Sequence, residues 1–157
     1  MKSIPKSTKG FTLIELMITI SVFALIFSST AIVFGDFLGE RRLASEGHKM
    51  VQLLREARTN AVSGLQGSSW GLYFDPSSDP DRYVFFKGGS YVDRDASFDL
   101  EMVFPTTVTF SAIDFGGHEA VFEKRSGIAN EGTLTLISDP DEFIISVNRL
   151  GIVNYDY

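Results

Sequence analysis

The chain has 157 residues, 44% hydrophobic and 22% charged, with a formal net charge of −6. That length holds one ordinary domain with an appendage and excludes a large two-domain enzyme, while the composition excludes whole-chain disorder. The charge argues against a general nucleic-acid binder, and the absence of cysteine excludes a disulfide, a thiolate metal site and a cysteine nucleophile.

Residues 1–10 carry Lys2, Lys6 and Lys9 and no acid, and residues 16–35 follow without a single charge. A helix over that run covers about 30 Å at ~1.5 Å per residue, one hydrocarbon core, and reads as a single transmembrane pass. Lysines at its start put that end in the cytoplasm. Two other readings fit less well. A soluble helix buried in a core keeps a polar face. A cleaved secretory signal has a shorter apolar run with a small-x-small cleavage site after it, and none follows this run before Asp36.

Glu15 interrupts the block, with Leu13, Ile14, Leu16 and Met17 around it. A carboxylate in lipid costs a few kcal/mol or more and calls for a partner. No Lys or Arg lies between Gly10 and Glu40 to serve. A cut after Gly10 would supply an amine, because it leaves a free α-amino group on Phe11, four residues before Glu15.

From Asp36 onward the helical pattern continues with a polar side. Leu43, Met50, Leu54, Ala57 and Ala61 fall at helical spacing and form one apolar stripe, with most charges off it. The spacing predicts a helix from about Thr12 to about Ser63, near 80 Å long at ~1.5 Å per residue. Gly64 and Gly67 are its stop signals. Beyond Ser68, short β-type runs alternate with turn residues such as Asp75-Pro76, Asp79-Pro80, Gly88-Gly89, Gly116-Gly117 and Asp139-Pro140. Strands are expected at 69–74, 83–87, 100–104, 108–110, 119–124, 132–138, 142–147 and 152–155. The stripe from Leu43 to Ala61 is the surface available to cover them. The expected fold class is therefore α+β, a long helix packed on antiparallel sheets.

The stretch Lys9-Gly10-Phe11-Thr12-Leu13-Ile14-Glu15-Leu16 resembles the class III signal of type IV pilins and type II secretion pseudopilins. The resemblance implies the type IV pilin fold, cleavage between Gly10 and Phe11 by a prepilin peptidase, and N-methylation of Phe11. It also implies that the Glu15 carboxylate meets the N-terminal amine of a neighbouring subunit during assembly. Trp70-Gly71-Leu72-Tyr73-Phe74, Phe122…Ser126-Gly127…Gly132-Thr133-Leu134-Thr135-Leu136 and Ile145…Gly151-Ile152-Val153 resemble the GspH/FimT group of minor pilins. On this reading 1–10 is a leader peptide and 11–38 a transmembrane and filament-core helix. Residues 39–64 are an amphipathic helix and 65–157 a periplasmic or extracellular β-domain. The chain would wait in the cytoplasmic membrane with its N-terminus inside, then join a pilus or pseudopilus. Its implied partners are the prepilin peptidase, other pilin or pseudopilin subunits, and an inner-membrane assembly platform. Loss of the three leader lysines from a formal charge of −6 leaves −9.

Little else suggests chemistry. His48 and His118 lie in different elements, where a metal site needs three or four convergent ligands, and no G-x-S-x-G elbow occurs. The chain reads as a non-enzyme without a cofactor. Asp75, Asp79 and Asp81, with Asp93 and Asp95 near by, offer oxygens for calcium, and major pseudopilins carry such a site. Their spacing is not that of an EF-hand, and Asp-Pro pairs are ordinary turn formers. Some FimT-like pilins bind DNA through basic residues near the C-terminus. Here that region offers Arg149, with Lys124 and Arg125 as the other basic pair, so a nucleic-acid partner is disfavoured. Display of a binding module for DNA or adhesion, and a membrane-anchored β-domain that never polymerises, are the alternatives to a structural subunit.

Overall fold

A computed structural model describes the backbone from residue 10 to residue 157; the side chains of 28–40 lie outside the described residues. Two compact units divide the chain, Met1–Phe37 and Leu38–Tyr157. One helix, α1 (Leu13–Ser63), contributes to both. It ends at Gly64, whose φ of 69° is the left-handed cap that an L side chain resists.

Eight strands follow: β1 (Trp70–Asp75), β2 (Arg82–Lys87), β3 (Leu100–Val103), β4 (Thr109–Asp114), β5 (Glu119–Phe122), β6 (Gly132–Ser138), β7 (Asp141–Val147) and β8 (Val153–Asp156). They form two four-stranded sheets, ordered β3-β2-β1-β5 and β4-β6-β7-β8, with every pairing antiparallel. The α+β architecture expected from the sequence is the one observed.

The stripe on α1 is the centre of the second unit. Leu43, Met50, Leu54, Ala57 and Ala61 are fully buried, in one cluster with Leu72, Phe74 and Tyr83 of the first sheet and Leu134, Leu136 and Phe143 of the second. Each large aliphatic or aromatic side chain so buried contributes roughly 1.5–3 kcal/mol. The helix comes close to β7 at Gly47, where a Cβ would stand 2.6 Å from the Phe143 ring. Strand β2 is buried on both faces. Tyr83 and Phe85 point into the core. Val84 and Phe86 are buried as well, and Phe86 meets Tyr91 from the 88–99 loop, whose ring stacks on Tyr73 at 3.9 Å.

Three expectations need correction. The first concerns the membrane. Among the described residues no helix is long and apolar enough to cross one, which overturns the transmembrane first half of the helix and the single-pass anchoring in the cytoplasmic membrane. The described apolar side chains run over 13–27, which cover about 22 Å of helix against a hydrocarbon core of about 30 Å, and Glu15 stands among them. The rest of the 16–35 run has side chains outside the described residues.

The second correction is to β4, which runs to Asp114 rather than stopping at residue 110. Its register shifts between Phe110 and Ala112, and this bulge breaks the alternation by which a strand is recognised. The third is one of edges. β1 and β7 extend by one residue to Asp75 and from Asp141, and β5 stops at Phe122 where the chain turns.

Candidate functional site

The N-terminal unit presents the signature residues on the first two turns and beyond of α1. Thr12 precedes the helix, and its Oγ1 accepts the N–H of Glu15 at 3.3 Å while its carbonyl accepts the N–H of Leu16. This is the Ser/Thr-x-x-Glu arrangement of a helix N-terminus. Glu15 lies in the first turn, where the exposed N–H groups favour a carboxylate. Among the described residues Glu15 takes part in none of the ion pairs. Gly10 is exposed, and a Cβ there would meet nothing within 4 Å. No packing within the fold demands glycine at that position.

The helix that follows is apolar all round. Leu16, Met17 and Ile18 succeed one another at about 100° around the axis, and they are 56, 61 and 59% exposed. Phe11 is 83% exposed and Phe27 71%. Ordinary surface helices bury such side chains along one stripe; here no face is covered. The two hydroxyls in the stretch turn inward on the helix itself. Thr19 Oγ1 donates to Glu15 O and Ser21 Oγ to Met17 O, each at 2.7 Å. The outward surface is thereby left without hydrogen-bonding demands, apart from Glu15.

The acidic calcium candidates are engaged elsewhere. Asp75 is 6% exposed. Its carboxylate accepts from Ser77 N–H and Oγ and from Arg82 Nε, the last at 2.8 Å. The Ser77 hydroxyl first, and the Arg82 guanidinium second, hold its carboxyl below the usual range. Asp81 accepts the Phe110 N–H at 2.7 Å, and Asp79 is exposed. Asp95 caps a short 3-10 turn (Ala96–Phe98) and pairs with Lys87 at 3.1 Å. Asp93 bonds to Ser90. Among the described residues no group of three or more His, Asp or Glu side chains converges as a metal site. His48 is exposed but flanked edge-on by Phe143 and Tyr155, at 5.3 and 5.0 Å between ring centroids. His118 lies in an exposed turn with φ of 55°.

The sequence reading missed two things. Helical spacing marks Thr12 as the start of the helix, and Thr12-x-x-Glu15 is in addition a capping signal in its own right. The basic pair Lys124 and Arg125 and the separate Arg149 give no sign in the sequence of sharing a surface, yet the fold brings Arg125 to Ala61 at the end of α1, and Gly127 and Gly151, in the turns next to the pair and to Arg149, against Arg58. Contacts that far apart in sequence leave no periodic trace.

Residues 5–31 match the family model of the prokaryotic N-terminal methylation motif. No curated protein matches the chain in sequence. Among solved structures, the minor pseudopilin EpsH from the type 2 secretion system of Vibrio cholerae is similar at 14% identity and a TM-score of 0.57, over 73% of this chain and 95% of that one. The type IV minor pilin FimU of Pseudomonas aeruginosa is similar at 15% identity and a TM-score of 0.54, over 73% of this chain and 93% of the other. The chain has the fold of minor pseudopilins and minor type IV pilins.

Proposed function

We propose that this chain is a structural subunit of a pilin-like filament, of the minor pilin or pseudopilin kind. The observation that carries the reading is the uncovered apolar start of α1 over 13–27, preceded by Gly10 and Phe11 and carrying Glu15 in its first turn. Apolar area left in water costs about 25 cal/mol per Å², so a surface without a polar face calls for neighbours of its own character, which parallel helices of other subunits supply. Residues 1–10 are the leader, 11–38 the filament-core helix, 39–64 the amphipathic helix that holds the β-domain, and 65–157 that domain.

A prepilin peptidase cuts between Gly10 and Phe11, and Phe11 is N-methylated. The matched methylation motif supports this step. So does Gly10, which the fold itself does not require and which a peptidase reading a small residue would. The new amine then gives Glu15 of an adjoining subunit the cation it lacks. That pairing selects axial position, because a charge pair forms only when one helix start meets the next at the right height. Other pilin or pseudopilin subunits and the assembly platform are the further partners. No catalytic step belongs to the chain.

The test is the mature N-terminus, determined by mass spectrometry in cells with and without the peptidase, together with Glu15→Ala. The expected result is a peptide starting at N-methylated Phe11, seen only with the peptidase, and loss of assembly in Glu15→Ala with unchanged processing. An intact Met1 in both strains would sink the reading.

A further inference from the structure

The second unit carries its charge at two ends. Of its cations, Lys49, Arg82, Lys87 and Arg94 are ion-paired. Among the described residues Arg55, Arg58, Lys124, Arg125 and Arg149 take part in no ion pair, and these five gather around the C-terminal turns of α1. Arg125 N–H donates to Ala61 O at 2.8 Å, and Ala129 N–H donates to Arg149 O at 3.1 Å. Arg58 lies across Gly151, where a Cβ would be 3.0 Å from its Nε. Arg55 Nη2 reaches Val153 O at 3.3 Å. Lys124 Nζ would be 3.6 Å from a Cβ on Gly67. Glu56 and Glu123 are the acids near by, and neither pairs with these cations among the described residues; Glu123 bonds to Ser126.

At the other end of the same strands lie the β1–β2 and β6–β7 turns. Asp81 binds the start of β4, and β4 begins opposite Ile137 at the end of β6, so the two turns are neighbours. Asp79, Asp139, Asp141 and Glu142 lie there without an ion pair among the described residues. Arg41 and Arg42 are the cations on α1 near this end, and Lys49 is held by Glu46. The ends are about 20 Å apart, the rise of α1 from Gly47 to Ala61 at ~1.5 Å per residue.

The geometry points to head-to-tail docking of two copies of this chain, with the basic cluster of one on the acidic β6–β7 turn of the next; this rests on the filament reading above. A surface whose two halves sit at opposite ends of one unit makes a heterologous contact, which repeats along an axis wherever its rotation does not close into a ring. Arginine forks match carboxylates in pairs, and neither set of charges is ion-paired among the described residues. A carboxylate-bearing protein surface is favoured over a phosphate polymer, because five cations on a chain of net charge −6 steer poorly toward a polyanion.

The full chain has no cysteine, so introduced pairs report single distances. Two forms, Arg149→Cys and Asp141→Cys, are expressed together in the native host and oxidised, with Met17→Cys as a separate reporter of helix association. The expected outcome is an Arg149→Cys/Asp141→Cys heterodimer. Reversal at Lys124→Glu/Arg125→Glu, two exposed cations of the cluster that leave the reporter at position 149 in place, should lower it about tenfold, the size that two or three exposed ion pairs give together. Adding Asp141→Arg/Glu142→Arg to the partner, with the reporter moved to Asp139→Cys, should restore it. Helix cross-links without the heterodimer would overturn the docking and leave the filament reading standing. Loss of both would overturn the two together. Reversal that is not restored by the swap, but abolishes retention of the chain on double-stranded DNA, would replace the protein partner by a polyanion.

Discussion

Gly47→Ala opposes two physical effects of comparable size. In a free helix, Ala is better than Gly by about 1 kcal/mol. At position 47, however, the new methyl would lie 2.6–2.7 Å from three atoms of the Phe143 ring, where carbon contacts prefer about 3.5–4 Å. The ring has nowhere easy to go. Phe143 is fully buried, its ring is stacked with Tyr155 at 5.5 Å, and His48 meets it edge-on at 5.3 Å. Overpacking of a core costs about 1–3 kcal/mol, which exceeds the helical gain. We expect a net loss near 1–2 kcal/mol, or a fall in melting temperature of about 4–8 °C for a unit of this size. The assay is thermal unfolding of the full chain followed by fluorescence of Trp70, the one tryptophan, which is 4% exposed in the core. Ser45→Ala, at an exposed position of the same helix, should melt at or above the parent temperature. Phe143→Leu should absorb part of the Gly47→Ala loss, as coupled neighbours do. A Gly47→Ala chain as stable as the parent would refute the argument, because helix propensity would then outweigh the contact with β7.

Three further outcomes follow from the same packing. Leu54→Ala removes a fully buried side chain from the stripe and should cost about 2–5 kcal/mol by the same fluorescence melt. Tyr83 Oη is buried and has no protein partner, and burial first, then the Glu46 carboxylate, pushes its hydroxyl well up; Tyr83→Phe should therefore keep or raise the melting temperature, as loss of an unsatisfied polar group does. Asp75 is held below its ordinary range of 3.8 by Ser77 and Arg82. Its contribution is present above about pH 4 and is lost as pH falls through the lowered value, since protonation then favours the unfolded chain. Asp75→Asn should be less stable near neutrality and should flatten the acid limb of a melting-temperature profile between pH 5 and about pH 2.

Local signals carried far in this chain. The stripe Leu43, Met50, Leu54, Ala57 and Ala61 is legible because helical spacing is a property of neighbouring residues, and all five are buried in the fold. Gly64 ends the helix in the left-handed conformation that glycine adopts most cheaply. Strands announced themselves by alternation, and β4 was cut short where its bulge interrupts the period. The apolar run near the N-terminus reads as a membrane span by composition, and the described helix does not meet that length.

Features that depend on residues distant in sequence emerge only in the folded chain. Nothing local says that β5 crosses back to pair with β1, or that the carboxylate of Asp81 is spent on the backbone of Phe110. Acids in a turn look alike whether they await a cation or already hold a guanidinium, as Asp75 does. The gathering of Arg58, Arg125 and Arg149 likewise exists only once the helix end and two turns have packed together. Which elements form, and which faces they bury, follows from propensity and hydrophobic period, which act within a few residues. Strand order, the partners of the acidic side chains and the charged ends of the domain came only with the fold, because burial of a shared core chooses among pairings that the local pattern leaves equal.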